Sequence, residues 1–362
     1  MTTASTSASV SAHSETPTVP DDVPATMRAS VLLEKGVVEM QERPVPRPEP
    51  GEVLVRVRAV GVCGSDVHYY KEGRIGDFVV EEPLILGHEV SGVVAGVGAG
   101  VPAERIGQRV AIEPQRPCRT CRQCTTGHLN LCPQMKFYAT PPIDGAFADY
   151  VTAPAEFAFP IPDSMSDNAG ALLEPFSVGM WATGKAGLAP GSTVLISGAG
   201  PIGALASLAA RSYGATRIVV SDPIASRREK ILEFGATETV DPLASDFDPA
   251  RIGADAFIEC SGATPALLAG LQALRPFGTA VMVGLGAEEM PIPVQHIMNN
   301  EITLTGIFRY VDTWPKVIAA AESPDVDLDA LVTAEFPLEE AEAALTQEPG
   351  EDSMKTIVVV SR

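Results

Sequence analysis

From Met27 the chain runs as short stretches in which apolar and polar positions alternate imperfectly: MRASVLL, GEVLVRVRAVGV, HEVSGVVAGVG and QRVAIEP, continuing through FADYVTAP to about residue 177. Glycine and proline separate them. A period near two is strand periodicity. Close-set strands broken by turn residues predict a partly antiparallel, barrel-like β domain. The pattern then changes. STVLIS at 192–197 is a continuous apolar run, as in a strand buried on both faces. An Ala-rich helical stretch follows to Gly214, then the strand RIVVSD and the helix ASRREKILEFG, closed by Gly235 as C-cap. DAFIEC, ALLAGLQAL and TAVMVG continue the alternation. Strand alternating with helix predicts βαβ units and a parallel sheet. Residues 178–313 therefore read as a doubly wound domain, and the chain as α/β. The final run, KTIVVVSR, is a strand expected to rejoin the first domain, which then comprises 27–177 and 314–362.

Residues 1–26 are rich in Ser, Thr, Ala and Pro and predict a disordered tail. They have no basic start, no apolar core and no Arg, so neither a secretory signal nor a transit peptide is expected. His13 receives no role. The uncharged stretch 188–210 is interrupted by Pro190, Gly191, Gly198, Gly200, Pro201 and Gly203 and does not read as a membrane span. Lys plus Arg number 26 and Asp plus Glu 46, a formal charge of −20. Nucleic acid and anionic lipid both need a basic face, so neither is an expected partner. The six cysteines are Cys63, Cys118, Cys121, Cys124, Cys132 and Cys260. Three of them spaced three apart suit a metal better than disulfides, and a reducing cytoplasm is expected.

Three patterns carry chemistry. Gly198-Ala199-Gly200-Pro201-Ile202-Gly203 spells G-x-G-x-x-G directly after a buried strand and at the start of a helix. There the glycines permit a tight turn, close approach of a pyrophosphate and close helix–strand packing. Asp222 ends the next strand, 19 residues after Gly203. A carboxylate there binds ribose hydroxyls and repels a 2′-phosphate, so NAD is expected over NADP. Arg227 reads equally as a residue over the adenosine or as a solvated helix residue.

Cys118, Cys121, Cys124 and Cys132 form C-x2-C-x2-C-x7-C within a lobe of about 114–133. Four thiolates match tetrahedral zinc in a closed, structural site. His128 in that loop is not needed as a ligand. The third pattern is dispersed: Cys63 in GVCGSD, His88 and Glu89 in LGHEVSG, and Glu174 in LLEPFSVG. Each is a proper ligand type for a catalytic zinc with three protein ligands and one exchangeable position. Spacing alone does not bring them together, and singly His88 and Glu174 read as ordinary core or cap residues.

With GVCGSDVHYY, GRIGDF, LGHEVSG, RVAIEP, ATPPIDG, LLEPFSVG, GAGPIG, ECSGA, VGLG, GIFRYVDTWP and LVTAEFPLEEA, the chain resembles the zinc-dependent medium-chain dehydrogenases of the sorbitol/xylitol (polyol) group, from Arg28 to the C-terminus. The resemblance implies a GroES-like catalytic domain made from both chain ends and an inserted Rossmann NAD domain. It implies two zinc ions per chain, one catalytic (Cys63, His88, Glu89, with Glu174 direct or through water) and one structural. It implies a homotetramer. It assigns Tyr69, Arg309, Tyr310 and Phe137 to polyol binding, and Val283, Phe308 and Arg309 to the cofactor side with Gly198, Gly200, Pro201, Ile202, Gly203, Asp222 and Arg227. Ser65, two residues after Cys63, is expected to relay the released proton; its plainer reading is a turn hydroxyl. The expected reaction is oxidation of a secondary polyol hydroxyl to a ketose, by hydride transfer to NAD. A butanediol or threonine substrate, and a non-catalytic nucleotide-binding zinc protein, are the alternatives. Cys260 is expected as a small buried hydrophobe, His68 as a support for the pocket and His296 as a packing residue.

Overall fold

Strand Glu52–Gly61 organises the first sheet of the computed structural model, which describes residues 16–348 and 350–361. Its Val and Leu side chains are buried on both faces. On one side it pairs antiparallel with Glu89–Val97 along its length. Its start also pairs with Tyr150–Pro154 and its end with Lys355–Val359. The register with Glu89–Val97 slips twice, at Leu54/Val55 and Val57/Ala59. Such bulges bend a strand and increase its twist, and here they curl the sheet. At the crossing a Cβ on Gly92 would lie 2.3 Å from the Arg56 carbonyl, so only glycine fits. The seven strands run Ala158–Pro160, Arg109–Ile112, Glu89–Val97, Glu52–Gly61, Lys355–Val359 and Val332–Pro337, with Tyr150–Pro154 off that path. A smaller sheet, Val37–Pro44, Thr26–Glu34 and Leu84–Ile85, adjoins it.

The second sheet is wholly parallel. Its order is Glu238–Val240, Arg217–Ser221, Thr193–Ser197, Ala254–Glu259, Leu274–Met282 and Thr303–Gly306. Counted along the chain that is 3-2-1-4-5-6, the doubly wound order, which opens a crevice beyond the carboxyl ends where the order reverses. Helices Pro201–Ser212 and Thr264–Ala273 cover it.

One expected boundary falls inside a helix. Helix Leu173–Lys185 runs straight through 177/178. It lies against helix Pro201–Ser212 so closely that a Cβ on Gly179 would sit 2.8 Å from the Leu205 backbone. At the other end, Trp314, Val317, Leu328 and Leu331 pack in a core that both sheets share, Trp314 stacking on Phe159 of the first sheet, and the chain pairs with that sheet again at Val332–Pro337. An amphipathic helix buries one face wherever it packs, so its pattern does not say which domain owns it.

The expected tail also differs. Thr18 exchanges both backbone hydrogen bonds with Val97 (2.8 Å each), which pins the chain to the first sheet well before residue 26. A single bridge leaves no periodic trace. Residues 1–15, including His13, lie outside the described residues. Among the described residues, no helix is long and apolar enough to cross a membrane.

Candidate active site and metal centres

Cys63 caps helix Gly64–Glu72, and His88 and Glu89 open the strand Glu89–Val97 after a turn at Gly87 (φ +89°). The turn needs glycine: a Cβ there would meet Phe147 and Val60 at 2.7–2.8 Å. Together these elements bring one donor atom each from Cys63, His88 and Glu89 within 4.8 Å of one another. Buried Asp66 orients the set. It accepts from the Cys63 and Gly87 amides (3.0 Å each) and lies 3.5 Å from His88 Nδ1. That is the carboxylate–histidine support found behind metal-binding imidazoles. Burial opposes a charged His88, but Asp66 and then Cys63 outweigh it and hold the ring above its ordinary range.

Glu89 is fully buried, and Lys355 Nζ reaches its two oxygens at 2.7 and 2.6 Å and the Val62 carbonyl at 2.8 Å. A Cβ on Gly61 would lie 1.9 Å from Glu89 Oε2, so this strand end must be glycine. Glu174, at the start of helix Leu173–Lys185, faces the same cavity but stands outside the three-donor cluster. Burial lifts its carboxyl to about 7, while His88 and the Tyr310 hydroxyl, donating at 2.8 Å, pull the other way.

The four lobe cysteines also converge within 4.8 Å. Cys118 and Cys124 sulfurs are 4.0 Å apart, and Cys121 and Cys132 sulfurs 3.9 Å. Disulfide sulfurs lie at about 2.05 Å, whereas ligands at about 2.3 Å from a tetrahedral zinc are about 3.8 Å apart. The residues therefore fit the metal. The Thr120 amide and then the Cys121 amide, at 3.3 Å, lower the Cys118 thiol to about 6, and burial raises that of Cys124 to about 12. The second thiol would ionise at neutral pH only beside a cation. His128 is exposed and outside the cluster.

In the crevice of the parallel sheet, Gly198 takes φ +90°. A Cβ on Gly203 would lie 1.9 Å from the Gly198 carbonyl, whereas one on Gly200 would meet no atom within 4 Å. The third glycine thus serves packing, and the second leaves room for a ligand at the N-terminus of helix Pro201–Ser212, where Pro201 and Ile202 begin the helix. Asp222 is buried at the edge of a cavity of about 370 Å3 and accepts from the Ala199 and Ile224 amides (2.8 Å each). Arg227 lines that cavity too, its Nε donating to the Glu351 carbonyl (3.1 Å). Val283 packs behind the sheet end, its amide on the Glu259 carbonyl (2.9 Å).

Comparison with known proteins decides the family. Residues 49–163 match the alcohol dehydrogenase GroES-like domain, and 201–323 the zinc-binding dehydrogenase domain. Sorbitol dehydrogenase of Bacillus subtilis (strain 168) is 43% identical, over 89% of this chain and 94% of that one. The probable D-xylulose reductase A of Aspergillus clavatus is 38% identical, over 89% and 93%. An alcohol dehydrogenase of E. coli CFT073, solved with cofactor NADH, superposes with a TM-score of 0.86 at 27% identity, over 93% and 100%. The chain belongs to the zinc-dependent medium-chain dehydrogenases, in the sorbitol dehydrogenase group.

A cavity of about 260 Å3 joins the three-donor cluster to the glycine turn: Cys63, His88 and Glu89 line one wall and Ile202 another. Ser65, Tyr69, Phe137, Phe308 and Arg309 line it as well. The Arg309 guanidinium lies 3.9 Å from the Phe137 ring centroid and 4.7 Å from that of Phe308, a cation–π sandwich. Burial lowers Arg309 to about 10. Tyr310 corrects the expectation. Its side chain is fully buried, is absent from the cavity wall and holds Glu174 instead of facing a substrate. His68 is exposed and does not line the cavity, Cys260 is half-buried, and His296 packs with Nε2 3.1 Å from the Leu271 carbonyl. Sequence reasoning missed Asp66, Lys355, and Leu243 and Phe247, which line the same cavity as Asp222. Only Asp66 left a trace, as an acid three residues into a helix whose start is the ligand Cys63.

Proposed function

We propose that the protein oxidises a secondary hydroxyl of a sugar alcohol of the sorbitol or xylitol type to the ketose, with NAD as hydride acceptor. One observation carries this: a three-donor Cys–His–Glu cluster and a half-buried arginine that makes no ion pair among the described residues face one cavity that opens to the dinucleotide crevice. Zinc bound at the cluster supplies Lewis acidity that makes a hydroxyl a better acid, and NAD supplies the acceptor. The chain's own residues do the rest. Arg309, half-buried and in no ion pair among the described residues, offers donors to hydroxyls along the polyol, for a partly desolvated cation lacking partners is costly. Tyr69 and Phe137 wall the chain in. Ser65, with Glu174, accepts the hydroxyl proton and passes it toward solvent while hydride leaves the carbon, so the products are ketose, NADH and one proton. Glu174 suits this because its carboxyl, at about 7, takes or gives a proton near neutrality.

Asp222 favours NAD over NADP by charge. Lobe cysteines whose sulfurs stand 3.9–4.0 Å apart, at metal-ligand spacing and not bonded as disulfides, support a cytoplasmic setting. A homotetramer is proposed from the edge strand Thr303–Gly306, paired on one side only, beside exposed Leu285, Ile292, Val294 and Met298. A butanediol offers Arg309 only one hydroxyl beyond the reacting one, which makes it the weaker reading; threonine, whose carboxylate would suit a guanidinium, is set against the polyols by the kinetic series. The decisive experiment is a kcat/KM series over sorbitol, xylitol, arabinitol, butanediol and threonine with NAD, alongside zinc quantification. Highest values for the polyols and two zinc per chain are expected. Preference for butanediol or threonine, or one zinc per chain, overturns the reading.

A further inference from the structure

Asn130 sits in the turn Leu129–Leu131, inside the cysteine lobe between Cys124 and Cys132. It is buried, at 5% exposure, an unusual place for an amide. Its Nδ2 donates at 2.8 Å to the carbonyl of Phe308, 178 residues away and just past the last strand of the parallel sheet. Its Oδ1 is buried without a hydrogen-bond partner. A buried polar group left half satisfied is a cost, and the donated bond is what accounts for an amide here.

The residue after Phe308 is Arg309, whose backbone takes φ +55°, a left-handed conformation that non-glycine residues hold only when surroundings impose it. No ion pair of the described residues holds its guanidinium. Its fixed contacts are the Phe137 and Phe308 rings. Phe137 belongs to the strand Lys136–Phe137, which pairs with Gln115–Arg116 across the base of the cysteine lobe. The lobe therefore grips the arginine segment twice, by an aromatic ring under the side chain and by an amide on the backbone.

We propose that Asn130 is a positioning residue for polyol binding: through the Phe308 carbonyl it holds Arg309 in its strained conformation over Phe137, so the four-cysteine lobe sets substrate recognition as well as local folding. This rests on the reading of Arg309 as the polyol contact. The test uses Asn130→Ala and Asn130→Ser (too short to reach the carbonyl), Arg309→Ala, and the double variant Asn130→Ala/Arg309→Ala. Zinc content, kinetics and hydrogen–deuterium exchange are measured on each. Loss of one hydrogen bond predicts a KM for polyols raised about five- to tenfold, with kcat and the KM for propan-2-ol within about twofold. The double variant should match Arg309→Ala alone. Exchange should rise at 307–311 while 118–132 stays protected and two zinc per chain remain. Unchanged exchange at 307–311, equal KM rises for polyol and propan-2-ol, additive penalties in the double variant, or loosening of 118–132 to the same degree overturns the proposal. An unchanged polyol KM in Arg309→Ala would instead defeat the arginine reading, and the exchange data would still decide on Asn130.

Discussion

Gly200 and Gly203 share one motif and differ in what surrounds them. A methyl on Gly203 collides with the Gly198 carbonyl at 1.9 Å, while one on Gly200 enters open space at an extended backbone (φ −83°, ψ −171°). Gly203→Ala is therefore expected to destabilise the fold by about 1–3 kcal/mol, read in urea melts without cofactor. Gly200→Ala should melt as wild type yet bind NAD at least tenfold more weakly in fluorescence titrations. Glu113, buried beside Gln115, makes a pH-dependent prediction. Burial raises its carboxyl from 4.5 to about 8, against the Gln115 bond and with help from Asp312 and Glu174. A group raised on folding stabilises most below its unfolded value and loses that contribution as pH climbs through the folded one. Wild type should lose a few kcal/mol between pH 4.5 and 8 through this group; Glu113→Gln should flatten that slope in melts taken at pH 5, 7 and 9. Phe277 is 72% exposed at φ +63°. Phe277→Gly should add about 0.5–1 kcal/mol to stability by removing backbone strain; a lower Tm would contradict this.

Among the elements, contiguity decided what could be read in advance. The cysteine loop and the glycine turn each complete their chemistry within some fifteen residues, and both were legible from spacing. The dispersed cluster was legible only through family resemblance, because a strand start and a helix cap meet through sheet topology that residue order does not display. Lys355 lies 266 residues from Glu89, in a run otherwise apolar, and nothing local distinguishes it from a solvated strand end. Tyr310 went wrong for a related reason. Its neighbour Arg309 turns the backbone left-handed, which sends the two side chains to different surroundings, one to the cavity and one beneath Glu174. Helix Leu173–Lys185 was cut in two by the expected boundary because its glycine-rich crossing face looks the same from either domain.

For the whole molecule, a charge of −20 would oppose association, so copies are expected to meet on apolar surface. Helix Val294–Asn299 has no buried residue, and Val294 and Met298 are over half exposed. Val294→Asp with Met298→Asp should convert the proposed tetramer to smaller species in sedimentation velocity while each chain keeps two zinc. An unchanged sedimentation coefficient would place the interface elsewhere.

The ammonium group against Glu89 comes from the last strand of the chain, and that strand fills the gap between Glu52–Gly61 and Val332–Pro337. During synthesis, every residue through Lys355 must leave the ribosome before the catalytic metal has its complete surroundings. The lobe of four thiols, finished by residue 132, can load far earlier. Chains arrested near residue 340 and released should carry a single zinc ion, held by the lobe, and full-length chains two.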